Sequence, residues 1–297
     1  KKKRSFGVNR SKVETIAHRG SRNEGLPENT IAAFRDAVNV KSDIVELDVW
    51  LTTDGKVVVH HDDTLTRMTC GANDKKICEM RWTDIPPITL TKSQAKRTSS
   101  FKITECLTIP LFKDCLRAIP SPTCLIIEFK QDSDQLITEV LHMLNESNRK
   151  EDVFWFSLDE KINKKLRIAD PVIPTITSIP SMLKVLGLYY TGLLPFVEID
   201  DAVFGITVEE VTLKSLPTWV HKTLAFLFQG KPPYPMLAPA LFAHLRRRGI
   251  QVWFLGVNTE HDLKLAVNSG ATAVLTDRIH WLKQTMNEQN LRFAKIQ

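Results

Sequence analysis

The chain lacks the sequence features of several large protein classes. Its five cysteines form no CxxC pair, which argues against a zinc site or a thioredoxin-like redox site, and we interpret them as reduced structural thiols. No GxGxxG or Walker loop indicates nucleotide binding. An apolar run at residues 185–197 (VLGLYYTGLLPFV) is too short to cross a bilayer.

Charge of one sign is also not in strong excess. Forty basic against thirty-four acidic side chains leave a net charge of +6. This modest excess suits an anionic substrate or a membrane surface, but it is too weak to indicate nucleic acid, and no nucleic-acid motif is present. With 43% hydrophobic and 25% charged residues, the composition is that of a soluble protein.

Strand and helix patterns alternate nearly to the end of the chain. About eight strand–helix units with no linker between them predict an α/β fold, a (β/α)₈ TIM barrel, as a single domain over residues 1–297. An open doubly wound sheet is the alternative. In residues 63–109 the apolar residues follow neither the period of a strand nor that of a helix, which predicts an insertion after the second strand. The main strands are predicted at 14–17, 44–49, 123–130, 153–156, 172–176, 202–208, 251–257 and 272–275, and the clearest helices at 29–40, 111–119, 134–145, 260–268 and 278–293.

The stretch 44–62 (IVELDVWLTTDGKVVVHHD) is the most informative part of the sequence. Alternation on a strand places Glu46 and Asp48 on one face, about 7 Å apart at Cα. Burying both carboxylates without partners would be costly, so the pair requires a cation or basic neighbours. A turn and a second apolar run then lead to a histidine, which suggests a metal-assisted hydrolytic site. The alternative is an acidic strand that faces solvent.

Further polar side chains end the neighbouring predicted strands. Because catalytic groups of a (β/α)₈ barrel lie at the carboxyl ends of its strands, we expect these residues to meet at its mouth. Carboxylates are hard oxygen ligands, which suit Mg²⁺ or Ca²⁺. Basic side chains would hold a phosphate, and two histidines would divide the proton transfers of phosphodiester cleavage. The candidates are His18, Arg19, Glu46, Asp48, His61, Glu128 and Lys130.

Some assignments stay open at this level. His60 competes with His61, although strand alternation and the following Asp62 favour His61. Asp62 either orients His61 or caps the next turn, and Glu28 either starts a helix or belongs to the site. We expect Asp277 to shape the last loop rather than to take part in the chemistry.

Six short motifs occur in the order typical of glycerophosphodiester phosphodiesterases, and the chain resembles this family over nearly its whole length. The motifs are HRG at 18–20, ENT at 28–30, ELD at 46–48, HD at 61–62, EFK at 128–130 and TD at 276–277. The resemblance implies a TIM barrel with a divalent cation, Mg²⁺ or Ca²⁺, on Glu46, Asp48 and Glu128. It also implies His18 and His61 as the catalytic pair, Arg19 and Lys130 as phosphate contacts, and Trp253 in the pocket. The family's usual WTVN reads WFLGVN here.

Within this family, the run at 185–197 resembles membrane-associated members that act as lysophospholipase D, which release the head group of a lysophospholipid and leave lysophosphatidic acid. Because the chain begins with Lys1, we expect an N-terminal membrane segment upstream of it and a location on the endoplasmic reticulum or another intracellular membrane. With 224–228 and 234–237, the run would form an apolar rim for an acyl chain or a membrane-docking surface. Alternatively it is an ordinary barrel helix. Other possible functions are a soluble glycerophosphodiesterase, a sphingomyelinase D-like phospholipase and a silent lipid-binding protein.

Overall fold

Parallel strands and helices alternate along the chain in a computed structural model, which describes residues 13–22, 25–90, 107–207 and 238–288. The strands are β1 (Glu14–Ala17), β2 (Ile44–Leu51), β3 (Val57–Val59), β4 (Cys124–Phe129), β5 (Val153–Phe156), β6 (Val203–Thr207), β7 (Gln251–Leu255) and β8 (Ala273–Thr276). The α-helices of the described residues are α1 (Ile31–Asn39), α2 (Phe112–Ala118), α3 (Asp134–Glu146), α4 (Glu160–Ala169), α5 (Ile179–Tyr190), α6 (Pro239–Arg247), α7 (Glu260–Asn268) and α8 (Ile279–Glu288).

The parallel strands close into a barrel, as predicted. They lie in the order β5-β4-β2-β1-β8-β7-β6. A short segment completes the ring, because Thr175 pairs with Trp155 of β5 and Ile176 pairs with Val203 of β6, both in parallel. The predicted strand at 172–176 is thus reduced to two bridging residues, since Pro174 has no amide hydrogen to donate to a neighbouring strand.

Side chains of alternating strand positions fill the inside of the barrel. This interior cluster consists of Ile16, Ile44, Ile126, Phe154, Ile176, Val203, Trp253, Ala273 and Leu275. The other strand face packs against the helices, as Val45 and Leu47 of β2 do in the larger core cluster with Phe34 of α1. Successive residues of a strand therefore point alternately into the barrel and towards the surrounding helices.

Polar residues fix the starts of several helices close to the predicted bounds. The Thr30 side chain accepts a hydrogen bond from the amide of Ala33 at the start of α1, and Ser133 does the same for α3. Thr259 and Asp262 form a reciprocal capping box on α7. These caps stop the helices from extending into the loops that carry functional side chains.

The predicted insertion follows the hairpin strand β3, which pairs antiparallel with β2, rather than β2 directly. Its described parts, 63–90 and 107–109, contain two short 3₁₀ turns, Ile77–Glu79 and Trp82–Asp84. Apolar side chains from this region cover Trp50 and Val58 of the hairpin; they are Leu65, Ile77, Met80 and Ile109. The insertion is therefore packed onto the barrel beside its mouth.

The apolar run at 185–197 forms the second half of α5 and the turn that follows it. Because α5 starts at the mouth and runs antiparallel to the strands, the run ends at the opposite end of the barrel. The run is thus a barrel helix with its loop, which was the alternative, and its position gives no support to an apolar rim for an acyl chain at the site. The companion segments 224–228 and 234–237 lie outside the described residues. No helix in the described ranges combines the length and apolar character that crossing a membrane requires.

Candidate active site

Strand register brings the predicted site residues to one place at the mouth. Asp48 of β2 pairs with Glu128 of β4, and Ala17 of β1 pairs with Val45 of β2. β1 and β4 end one residue from His18 and Glu128, and β2 ends three residues after Asp48. The carboxyl ends of the three strands therefore bring these side chains together. The prediction from strand ends thus agrees with the observed geometry.

Three buried carboxylates form the centre of the site. One oxygen from each of Glu46, Asp48 and Glu128 lies within 4.8 Å of the other two. Burial, followed by the charge of Asp48, raises the pKa of Glu46 well above its usual value. Burial also opposes ionisation of Asp48, but Lys130 and Arg19 outweigh it and lower its pKa to about 2. Burial and mutual repulsion therefore work against ionising all three carboxyl groups at the same time.

The carboxylate cluster fits a divalent cation. Asp48 Oδ1 is fully buried and makes no hydrogen bond, although Lys130 Nζ lies within ion-pair distance at 3.1 Å. An oxygen in this position is costly unless a cation or a proton reaches it. The donors are all carboxylate oxygens, which match Mg²⁺ and Ca²⁺ rather than a metal that prefers thiolate or imidazole. Glu46, Asp48 and Glu128 would hold the ion.

Two basic side chains flank the carboxylates. Lys130 Nζ lies 2.6 Å from Glu128 Oε1. Burial lowers the pKa of Lys130, but the charges of Glu128 and Asp48 outweigh burial and raise it. Arg19 donates its backbone amide to Glu46 Oε2 at 2.9 Å and its Nη1 to Glu28 Oε1 at 2.9 Å. Both side chains stay cationic at neutral pH and stand beside the carboxylates, where a phosphate could be held.

His18 is fixed by an aspartate from the other end of the chain. Its Nδ1 lies 2.6 Å from Asp277 Oδ1, and its Nε2 lies 3.9 Å from Glu46 Oε2. The pKa of Asp277 is lowered despite burial, because its hydrogen bond to His18 and the surrounding cations favour the carboxylate. A carboxylate only accepts, so Nδ1 carries the hydrogen and Nε2 is directed towards the carboxylate cluster. Burial lowers the pKa of His18, which favours the neutral ring.

His61 forms a similar pair with an aspartate, and it lies near enough to the carboxylates for its charge to lower the pKa of Asp48. Its Nδ1 donates to Asp62 Oδ1 at 2.7 Å. The competing His60 is buried, and its Nε2 donates to the carbonyl oxygen of Thr64 at 3.1 Å, which holds the start of the insertion. The geometry therefore favours His61 over His60 for chemistry. It also decides between the two interpretations of Asp62, which orients His61.

Four site residues were missed or left undecided by sequence reasoning. Asn29 donates its amide to Asp48 Oδ2 at 2.7 Å, and Glu28 pairs with Arg19 at 2.9 Å, so the ENT motif supports two of the predicted residues. Asn258 Oδ1 accepts from the amide of Asp277 at 2.9 Å. The short motifs contained Glu28, Asn29 and Asp277, but only the tertiary fold brings Asp277 to His18 and Asn258 to Asp277.

Trp253 lies away from the other predicted residues. It has no exposed surface and packs edge-on against Phe154 inside the barrel, with 4.7 Å between ring centroids. Counting back from Asn258, the tryptophan of a WTVN motif corresponds to Leu255, which is on the same strand face and one step nearer to the mouth. The position of Trp253 gives its predicted pocket role no support.

The arrangement of three carboxylates, two basic side chains and two histidine–aspartate pairs is suited to hydrolysing a phosphoric diester. A sequence profile of the glycerophosphoryl diester phosphodiesterase family matches residues 18–280. The chain belongs to this family and is a phosphoric diester hydrolase, as the sequence motifs predicted.

Individual relatives cover most of the chain. Lysophospholipase D GDPD1 of Rattus norvegicus is 35% identical over 280 residues, which are 93% of this chain and 86% of that protein. Lysophospholipase D GDPD3 of Homo sapiens is 30% identical over 266 residues, with coverages of 90% and 82%. A phosphodiesterase of Oleispira antarctica, solved with the product sn-glycerol-3-phosphate, has a TM-score of 0.66 at 22% identity and covers 92% and 96% of the two chains. That likeness shows the shared fold.

Proposed function

We propose that the chain is a lysophospholipase D, which cleaves the bond between phosphate and head group of a lysophospholipid and leaves lysophosphatidic acid. The observation that carries the chemistry is the placement of two histidine–aspartate pairs beside one carboxylate cluster. The substrate class rests on identities of 30% to 35% with proteins named lysophospholipase D, over at least nine-tenths of this chain.

In this proposal each residue has a defined task. Arg19 and Lys130 hold the non-bridging oxygens of the phosphate. One histidine takes a proton from the nucleophile, which is water or a free glycerol hydroxyl of the substrate, and the other protonates the leaving alcohol. A new oxygen–phosphorus bond forms as the bond to the head group breaks. Attack by water gives lysophosphatidic acid directly, whereas attack by the glycerol hydroxyl gives a cyclic phosphate, which water must then open to give the same product. A divalent cation on the three carboxylates would supply electrostatic stabilisation at the phosphorus.

A soluble glycerophosphodiesterase, acting on deacylated diesters such as glycerophosphocholine, is the second candidate. The observation that favours it is the position of the apolar run at 185–197, which lies at the end of the barrel opposite to the site. Such an enzyme needs the same site but no surface for an acyl chain. The two candidates therefore differ in the substrate and not in the catalytic residues.

We also propose that the chain contacts a membrane surface through that opposite end. Tyr190, Leu193 and Phe196 are exposed there, with 85% of Phe196 accessible to solvent. Arg248 donates to the carbonyl oxygens of Leu194 and Val197, so a basic side chain lies against the apolar turn. Exposed aromatic and leucine side chains next to arginine are typical of a surface that inserts shallowly into lipid. Sedimentation with anionic vesicles should fall for Phe196→Glu and stay unchanged for Trp82→Glu, whose side chain lies in the insertion.

The substrate proposal is tested by assaying lysophosphatidylcholine beside glycerophosphocholine. The chain is first treated with a chelator and then supplied with Mg²⁺ or Ca²⁺, and choline release is measured. We expect release from the lysophospholipid with at least one of the two ions. Release from glycerophosphocholine alone would replace the lysophospholipase D assignment with the soluble alternative, and release from neither would contradict both.

A further inference from the structure

One cation at the mouth has no task in the chemistry described above. Arg67 lies in the insertion, and its guanidinium joins two carboxylates from different parts of the chain. Its Nε donates to Asp62 Oδ2 at 2.7 Å, and its Nη2 donates to Glu28 Oε1 at 2.8 Å. Because both hydrogen bonds come from one planar guanidinium, they fix the carboxylates of Asp62 and Glu28 relative to each other.

The backbone around Arg67 is anchored into the packed part of the insertion. Leu65 is fully buried, and Met68 and Thr69 are nearly so. The amides of Met68 and Thr69 both donate to the carbonyl oxygen of Leu65, at 3.0 Å each, and close a tight turn around Arg67. The hydrogen bond from His60 Nε2 to the carbonyl oxygen of Thr64 holds the segment that precedes this turn. Arg67 is thus presented from a fixed backbone rather than from a free loop.

The contact with Asp62 leads directly to a catalytic histidine. Asp62 uses Oδ1 to accept from His61 Nδ1 and Oδ2 to accept from Arg67 Nε, each at 2.7 Å. A carboxylate held at both oxygens cannot rotate without breaking one of the bonds, so the plane of the His61 ring is also constrained. Among the described residues, the other hydrogen-bond partner of Asp62 is His61 itself, so without Arg67 the carboxylate no longer imposes an orientation on the ring.

We propose that Arg67 is a positioning residue for the phosphodiesterase reaction, through which the insertion orients His61 by way of Asp62. The inference rests on the proposed function, because it assigns His61 a proton transfer. It gives the insertion a role in catalysis in addition to its packing on the hairpin. Burial raises the pKa of Asp62, but the hydrogen bonds from His61 and Arg67 together outweigh burial and lower it.

A different route from Arg67 to the site runs through Glu28. Glu28 accepts from Arg19 and from Arg67 at the same oxygen, so Arg67 also borders the predicted phosphate contact. The two routes predict different kinetics. Loss of orientation at His61 lowers kcat, whereas loss of order at Arg19 weakens binding of the phosphate and raises KM.

The test compares Arg67→Met, Arg67→Lys, Asp62→Asn and the double variant Asp62→Asn with Arg67→Met. We expect kcat of Arg67→Met to fall by roughly 10- to 100-fold, the range of supporting residues around a site, while KM stays within about twofold. Arg67→Lys should recover part of the loss, because an ammonium group can still bind Asp62. The double variant should be no slower than Asp62→Asn alone, since both changes act through one contact.

Arg117→Met is the matched control, since Arg117 forms a surface ion pair with Asp114 on α2 at 3.0 Å. It should leave kcat and KM unchanged, and circular dichroism should show the same folded state for all variants. A raised KM with normal kcat in Arg67→Met, normal kinetics, or multiplicative losses in the double variant would overturn the inference. An active His61→Ala variant or an inactive wild-type chain would instead contradict the proposed function.

Discussion

His18 Nδ1 and Asp277 Oδ1 lie 2.6 Å apart, although 259 positions separate the two residues in the chain. The contact joins the first barrel strand to the loop after the last one, where β1 and β8 pair in parallel. It fixes the ring of His18 so that Nε2, rather than Nδ1, is available to the substrate. The barrel therefore closes at the same place where the ring of His18, which we propose to be catalytic, is oriented.

Asp277→Asn should lower turnover while the barrel stays folded. An amide in this position no longer selects the ring hydrogen at Nδ1, so His18 loses its orientation and preferred tautomer. We expect kcat to fall by about 10²-fold, the lower end of what acid–base catalysis contributes. Asp36→Asn is the control, because it breaks the similar Asp36–His280 pair, at 2.7 Å, between α1 and α8 outside the barrel. Equal activity of the two variants would contradict the role of Asp277.

Binding of Mg²⁺ should release a proton and weaken as the pH falls. The pKa of Glu46 is raised by burial and by Asp48, so a cation must displace a proton from this carboxyl group. While Glu46 is protonated, affinity should drop by up to about tenfold per pH unit. Calorimetric titration at pH 6 and pH 8, in buffers of different ionisation enthalpy, measures both effects. Glu46→Gln should reduce proton release, although Glu128, whose pKa is also raised by burial, can still contribute. An affinity independent of pH in the wild type would exclude this arrangement.

Glu28 should contribute stability that disappears in acid. Burial favours its neutral form, but Arg67, Arg19 and Arg22 outweigh burial and lower its pKa to about 2. A depressed pKa stabilises the folded state above the unfolded value of about 4.3, and this contribution is lost as the pH falls towards the folded value. It amounts to roughly 3 kcal/mol at pH 6 and about 1 kcal/mol less at pH 3.5.

Urea unfolding of the wild type and of Glu28→Gln at these two pH values measures that loss. The difference in free energy of unfolding between the two proteins should be smaller at pH 3.5 than at pH 6. Glu146→Gln, at an exposed position on α3, provides the baseline for removing a charge. A difference that does not change with pH would show that the three arginines do not stabilise Glu28.

Gly20→Ala should destabilise the fold strongly. Gly20 has φ +77°, and an added Cβ would lie 2.8 Å from both the carbonyl carbon and the oxygen of Ala33 on α1. The clash is with backbone, which cannot move aside as a flexible side chain can. Gly192→Ala has nearly the same φ, +73°, but open space around it, so it isolates the cost of conformation. We expect Gly20→Ala to lose roughly 1–3 kcal/mol more than Gly192→Ala in thermal unfolding, the usual cost of overpacking. Equal losses would contradict the close packing of β1 and α1.

Local patterns were sufficient for much of the fold and for most of the site. Alternation and strand ends identified Glu46, Asp48, Glu128 and Lys130, because these side chains belong to strands whose period is visible in the sequence. The bounds of β5 and α7 were predicted without error, since an apolar run and a capping box mark them.

Other features depend on tertiary contacts that a local pattern does not contain. Asp277 was expected only to shape its loop, because a closed barrel implies that β8 pairs with β1 but does not show which side chains at the two strand ends meet. Arg67 lies in a segment whose sequence shows no strand or helix periodicity. Its proposed role follows from its hydrogen bonds to Asp62 and Glu28. The hydrophobicity of the run at 185–197 suggested a lipid-contacting surface, but only the direction of α5 shows that it lies at the end of the barrel opposite to the site.

The most direct test of the central claim is the turnover of His18→Ala and His61→Ala on the substrate that the wild type cleaves. Product release should fall by about 10²- to 10⁴-fold in each variant, the contribution of general acid–base catalysis, while circular dichroism and the thermal midpoint match the wild type. A folded variant that retains wild-type turnover would show that the reaction does not use the two histidine–aspartate pairs at the mouth of the barrel.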